Sequence, residues 1–402
     1  MGYEFIYSNC IGISFFVLVF IIIIFFIGSG RLLTTKLSII VFTALLAHII
    51  AVNVYELSPS DSSANYFPNA TLVFHGFGTD FAQLVSGVLK EIGFTTLLSQ
   101  YYFSNAIGFL GAYFYFRTYV HFAKTAGFTH REYDHLVPYS LIWLWPSFML
   151  WSTGVGKDSF MFLSISLIFY SLSIFNGGGP KFKPVMLAII GGFFIWFLRP
   201  QVFLVMVGAI MMLGLFSKKV NFKTRVLLLL VFVGFMVVAL PVILKYGQVS
   251  DISGISQRAL KAQISLSSGT AISVPTHDPR YLVFFLPYTM LANLFLPLFL
   301  GVKNLIGVIA SVENLVLLYL TWHYCKYRRF LYQFFSTRYQ QLLKYMEFYL
   351  LMGIGFLGLL NTNLGLAMRE KIMFTAPFML LIAMSFLVSK KYRKMRSRRA
   401  YE

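Results

Sequence analysis

The chain has 402 residues, 58% of them hydrophobic and 12% charged, with a mean hydropathy of +0.74. No soluble domain needs that much apolar surface, whereas a polytopic membrane protein does. The formal net charge of +19 would suggest nucleic acid for a soluble protein, but here Lys and Arg cluster between apolar runs, so they are read as topology signals and no nucleic-acid partner is expected.

A membrane span needs roughly 20 apolar residues. The first run, 11–27, is longer than a signal-peptide core and has no basic residue before it, so it reads as an uncleaved span. In order, helices are predicted near 9–29, 37–54, 97–119, 136–153, 159–175, 185–198, 201–216, 226–244, 306–322, 346–360 and 373–389. Residues 55–96 carry Glu56, Asp61, Asp80 and Glu91 against Lys90, which predicts an outer loop. The turns holding Arg31 and Lys36, Lys124 and Arg131, Lys181 and Lys183, and the group Lys218, Lys219, Lys223 and Arg225 all fall inside. A second outer loop is predicted at 246–281.

The run 282–301 decides the rest of the topology. If it crossed, twelve cations in 323–345 and in the tail 390–402 would lie outside, which the positive-inside rule disfavours. With Pro287 and Pro297 inside it, the run reads instead as a re-entrant or interfacial element. The expectation is an all-α, single polytopic domain over 1–402, with eleven crossings, the N-terminus outside and the C-terminus inside. Segment 323–345, with Tyr324, Tyr327, Phe330, Tyr332, Phe334 and Phe335 among its bases, reads as an amphipathic helix on the inner leaflet, and 390–402 as a basic tail. Its neighbours there are membrane lipids, with partner docking as the other reading of the aromatic segment.

Cys10 and Cys325 fall on opposite predicted faces, and the seven histidines show no ligand spacing, so neither a disulfide framework nor a metal site is expected. The junction Trp145-Pro146-Ser-Phe-Met-Leu-Trp151-Ser-Thr-Gly154-Val-Gly156-Lys157-Asp158 places an adjacent Lys–Asp pair at a membrane boundary. Charge there is costly unless paired or facing a wet cavity, which makes Lys157 and Asp158 functional candidates. The fragment is not a phosphate-binding P-loop, because Asp158 stands where Ser or Thr must follow the lysine. In the plainer reading, Asp158 or Ser159 caps the next helix and Lys157 snorkels.

Further charges stay on the predicted outer side. Arg199-Pro200 splits two apolar runs, Arg280 lies at the end of the second outer loop, and Arg369-Glu370-Lys371 precedes the last helix. Arg199, Arg280, Arg369 and Lys371, with Lys157, are candidate ligands of a diphosphate, since guanidinium forks bind phosphate oxygens bidentately. Snorkelled or locally paired charges are the alternative for each of them. Asp61 is a candidate general base, or else part of a Ser/Asp-rich turn, and Asp158 is the second candidate base. Glu313 and Asn314 lie inside a predicted span and are read as a structural polar pair facing an Arg or Lys.

The fragments Pro146-Ser-x-x-x-Trp151-Ser-x-Gly154-x-x-Lys157-Asp158, Leu198-Arg199-Pro200, Val312-Glu313-Asn314 and Asn363-Leu-Gly365 followed by Arg369-Glu370-Lys371 and Pro377 occur in this order over most of the chain. Together they resemble the inner-membrane proteins of bacterial surface-polysaccharide assembly, related in layout to C-type membrane glycosyltransferases and O-antigen (Wzy-type) polymerases. Asp61 is similar in position to the first-loop acidic base of the C-type enzymes. The sequence departs in lacking a second acid beside Asp61 and the large outer loops of many Wzy-type polymerases. The resemblance implies a glycosyltransferase or polymerase acting on polyprenyl-diphosphate-linked sugars in a bacterial inner membrane, with a chain-length regulator as a further partner. No cofactor or metal is called for, because the cations can neutralise the diphosphate. A flippase or transporter of the same glycans is the alternative, and a structural envelope subunit a third.

Overall fold

Long apolar stretches with few Gly or Pro satisfy their backbone groups internally as helices, and the described residues contain no strand. The structure is a computed structural model of the full chain. It describes every residue except 1, 31, 58–59, 75, 179–180, 218–219, 247–278, 300–304, 361–363 and 400–402. Side chains are described for the same residues apart from 2–3, 236, 238–240, 242–246, 279–283, 305–306, 360, 364 and 394–399.

The chain forms two compact units, and each is described by itself. The first joins Met1–Arg199, Tyr327–Tyr339 and Met379–Glu402; the second joins Pro200–Lys326 and Gln340–Phe378.

In the first unit, α1 (Gly2–Ser29) and α2 (Thr35–Glu56) precede a π-helical turn (Ser62–Tyr66) and α3 (Thr79–Glu91). Next come α4 (Leu97–Thr125), α5 (His130–Tyr133), α6 (Leu136–Trp143), α7 (Pro146–Trp151), α8 (Lys157–Asn176) and α9 (Phe182–Leu198). Hydroxyl caps start two of these helices: Thr34 accepts from the Leu37 amide at 3.2 Å and Thr96 from the Ser99 amide at 3.1 Å. The core helix is α4, packed between α1 and α8, with α9 beyond α8. Small residues set the spacing. A Cβ on Gly12 would meet the Ser99 backbone at 2.7 Å, and one on Gly191 the Ser164 carbonyl at 2.7 Å.

In the second unit, α10 (Pro200–Leu215) packs on α11 (Phe222–Tyr246). They are followed by α12 (Pro279–Phe295), α13 (Leu305–Phe334), α14 (Thr337–Leu360), α15 (Leu364–Glu370) and α16 (Ile372–Arg399). Of these, α13, α14 and α16 also contribute ends to the first unit.

Among the described residues, five helices are long and apolar enough to cross a membrane: Glu4–Ser29, Thr35–Glu56, Lys157–Asn176, Thr337–Leu359 and Ile372–Arg393. Phe25, Phe26, Phe42, Leu46 and Ile50 on α1 and α2, and Phe182, Ile189 and Phe193 on α9, are exposed, a pattern suited to lipid contact. The chain is an α-helical membrane protein. Helix α4, at 29 residues, is long enough to span but carries buried Ser99, Gln100, Ser104 and Asn105, which lowers its hydropathy and places it inside the unit.

Three expectations change. The span predicted at 136–153 is two short helices, because Pro146 lacks the amide that would continue α6 and instead opens α7. Segment 55–96, expected as an outer loop, is not simply a loop, since α3 presents Ala82, Ser86 and Leu89 to the core. Segment 323–345 is not a separate surface helix. Helix α13 runs without interruption to Phe334, and α14 starts at Thr337. The basic residues from Lys390 are helical as far as Arg399, as the end of α16. Most of the predicted loop 246–281 lies outside the described residues.

Candidate functional site

The polar centre of the first unit grows from the junction that follows α7. Trp145, which precedes proline, is extended, and Pro146 fills the first helical position of α7. After Trp151 the chain turns through Gly154 to Gly156, whose φ of 103° lies in the left-handed region. A Cβ there would meet the Ala82 Cβ at 2.5 Å, so both backbone conformation and space require glycine. Lys157 then begins α8, and Asp158 sits in its first turn, where the helix dipole favours a carboxylate.

Arg199 interrupts the chain between α9 and α10, with φ −148° and ψ 79°, immediately before Pro200. Its Nη2 donates to Asp158 Oδ1 at 2.9 Å, and both side chains are 6% exposed. The adjacent Lys157 points elsewhere: Nζ donates to Thr79 Oγ1 at 2.8 Å and lies 5.3 Å over the Tyr66 ring. Thr79 is positioned by the tie between the Gly78 amide and the Phe197 carbonyl, 2.9 Å, which fastens the start of α3 to the end of α9.

Asp61 is exposed and starts the π-helical turn. Its neighbour Ser62 is buried and donates to the Val155 carbonyl at 3.4 Å, which fixes the Asp61 turn beside the Gly154–Asp158 junction. Ser60 and Tyr101 share a hydroxyl contact of 3.2 Å, and Tyr55 packs edge-on against Tyr101 and Trp151. Below them, Asn105 donates to Thr153 Oγ1 at 2.8 Å and meets His48 Nδ1 at 2.5 Å, linking α2, α4 and the end of α7. The arrangement gives one exposed carboxylate, a buried ion pair and a lysine held by a hydroxyl, set among tyrosines.

The second unit has a separate polar centre. Lys371, between α15 and α16, is buried and donates to Asn314 Oδ1 at 2.5 Å and the Leu294 carbonyl at 3.1 Å. Asn314 in turn donates to the Pro297 carbonyl at 3.1 Å. These bonds satisfy the carbonyls left open where α12 ends. Glu313, the residue before Asn314, is also buried, so the Glu313–Asn314 step of α13 faces a lysine through the Asn314 bond. Arg369 and Glu370 occupy the last turn of α15 and are half-buried. The Arg280 side chain lies outside the described residues.

The structure therefore brings Asp158 and Arg199 together, with Lys157 and Asp61 on the adjoining turns, and it brings Lys371 to Glu313 and Asn314. Thr79, Tyr66, Ser62, Asn105 and Thr153 belong to the first centre and do not stand out in the sequence. The polar cluster Ser99, Gln100, Ser104 and Asn105 at the start of a long apolar run was the available signal for Asn105, while Thr79 had none. Among the described residues, no group of His, Cys, Asp and Glu is arranged to hold a metal ion. No protein-family model, curated protein or solved structure matches the chain.

Proposed function

We propose that the chain is a bacterial inner-membrane glycosyltransferase or polymerase that uses polyprenyl-diphosphate-linked sugars, with eleven crossings, N-out and C-in. One observation carries this reading: an exposed carboxylate, Asp61, starts the turn whose Ser62 binds the Gly154–Asp158 junction and whose Tyr66 ring lies under the Lys157 ammonium. Asp61 is the base that takes a proton from an acceptor sugar hydroxyl as that oxygen attacks the anomeric carbon. The bond from that carbon to the diphosphate oxygen breaks, and the lipid diphosphate leaves. Lys157 and the hydroxyls around it stabilise the charge that develops on the leaving group.

Asp158 is the weaker base. Its carboxylate is already paired with the Arg199 guanidinium and both are shielded from solvent, so it holds Arg199 in place rather than moving protons. Arg369, Arg280 and Lys371 remain candidate phosphate ligands only from their sequence positions. Lys371 already has two oxygen partners and serves the second unit's packing.

Asp61→Asn and Asp61→Glu test this reading in cells, scored by polymer length per unit of protein. Asn should lower output by about 10²-fold or more, and Glu should restore part of it. Normal polymer from the Asn variant rules out the assigned base.

A flippase is the second reading. It is favoured by the interruption of α6 and α7 at Leu144–Trp145, since transporters place substrate at broken helices. A deletion strain separates the two readings: single lipid-linked units collect on the outer leaflet if polymerisation is lost, and on the inner leaflet if translocation is lost.

A further inference from the structure

We propose that the first unit carries a binding site for the phosphodiester headgroup of an anionic phospholipid, built where α16 passes the short helix α5. A cavity of about 230 Å³ is lined there by Phe128, Arg131, Glu132, Leu387, Lys390 and Lys391. Its floor is apolar, since Phe128 and Leu387 are buried. Its rim is cationic. Lys391 Nζ lies 4.6 Å over the Phe128 ring and 5.5 Å over Phe334, which holds one ammonium against the floor.

Arg131 and Lys390 are exposed, and among the described residues neither has an ion pair or a side-chain hydrogen bond. Glu132 is the single carboxylate in the lining, and it is engaged by the Thr129 amide at 2.8 Å and the Thr129 hydroxyl at 3.0 Å. Three cations against one carboxylate leave a positive surplus aimed at the cavity.

Depth in the bilayer points to a lipid rather than a free anion. Lys390 follows Ile372, the start of a candidate span, by eighteen residues. At 1.5 Å per residue this is about 27 Å, close to the hydrocarbon thickness, so the ammonium groups reach headgroup level. Leu387 lies one turn back, at acyl depth. A phosphodiester on a glycerol stem matches a cationic rim over an apolar floor, whereas inorganic phosphate has no use for the floor. This site is independent of the transferase reading.

The test uses the purified full chain, with phosphatidylglycerol as the probe and phosphatidylcholine as the reference, and bound lipid counted by native mass spectrometry. The wild-type chain should retain phosphatidylglycerol selectively. The double variant Arg131→Gln/Lys390→Gln, both surface positions, should lose at least about tenfold in affinity, or about 1.4 kcal/mol. Lys181→Gln, an exposed cation away from the cavity, should behave as wild type. Unchanged retention by the double variant, or an equal loss from Lys181→Gln, overturns the site. Displacement of the lipid by millimolar inorganic phosphate would show a soluble-anion site and overturn the lipid assignment.

Discussion

The Arg199 guanidinium donates to the Asp158 carboxylate across 2.9 Å, with both side chains 6% exposed. A residue that breaks one helix is thereby anchored to the first turn of another, forty-one positions earlier in the chain. Removing one partner of a buried pair strands the other charge, which costs about 3–5 kcal/mol. Asp158→Asn should therefore lower the thermal midpoint of the solubilised protein sharply. Combining Asp158→Leu with Arg199→Met should regain most of that loss, because no stranded charge remains. Additive losses in the double variant would show that the two residues do not act as a pair.

The same pair alters what Arg199→Lys reports. Lysine keeps the charge and loses the planar fork. Should Arg199 also grip a diphosphate, polymer output per folded protein falls by more than about tenfold, equivalent to about 1.4 kcal/mol. Output that merely tracks protein level assigns Arg199 to the ion pair alone.

Gly156 combines a left-handed φ with a close neighbour, whereas Gly127, at φ 72°, has nothing within 4 Å of an added Cβ. Gly127→Ala should cost about 1–2 kcal/mol from backbone conformation alone. Gly156→Ala should cost more, and Ala82→Gly in the same chain should recover the excess. Equal losses at both glycines, measured as thermal midpoints, would remove the steric argument at the Lys157 junction.

His135 caps α6 by accepting the Val137 amide at Nδ1, 3.3 Å, and this requires a neutral ring at that nitrogen. Burial first, then the Lys390 and Lys36 charges, hold its pKa below the ordinary histidine value, while Asp134 opposes them. The folded state thus prefers the neutral ring, and the unfolded chain binds the proton more readily. The stabilisation is complete above about pH 6.5 and is lost as pH falls through the lowered native value. His135→Asn keeps a cap acceptor that does not titrate, so the drop in thermal midpoint below pH 6.5 should shrink. An unchanged pH profile would assign the effect to other groups.

The apolar runs behind α1, α2, α8 and α9 were legible because nothing polar competes along them. The break at Leu144–Trp145 was also legible in Pro146, but the hydropathy of 136–153 hides it, since both halves are apolar. Helix α3 was hidden by the acidic character of 55–96, although Ala82, Ser86 and Leu89 fall at helical spacing. In 323–334 the arrival of Lys and Arg suggested a new element, yet no Gly or Pro stops α13 before Phe334. At the candidate site, Lys157, Asp158 and Arg199 stood out as charges beside apolar runs. Their partners did not, because which hydroxyl meets Lys157, and whether Asp158 meets Arg199, depends on helices brought together from distant parts of the chain.

Topology gives a direct check on the proposed orientation. A reporter fused after Lys344 should be cytoplasmic, as should one after Lys390, because the positive-inside rule places both basic segments on one face. Export of the first fusion would contradict the assignment of 282–301 as a non-crossing segment.

Reconstitution tests the proposed chemistry most directly. The purified chain in proteoliposomes, supplied with a polyprenyl-diphosphate-linked oligosaccharide, should lengthen the glycan and release polyprenyl diphosphate in equal amounts. Asp61→Asn should stop both while leaving the protein folded. Transfer of the intact lipid-linked unit across the bilayer, with no lengthening and no released diphosphate, would contradict the transferase account.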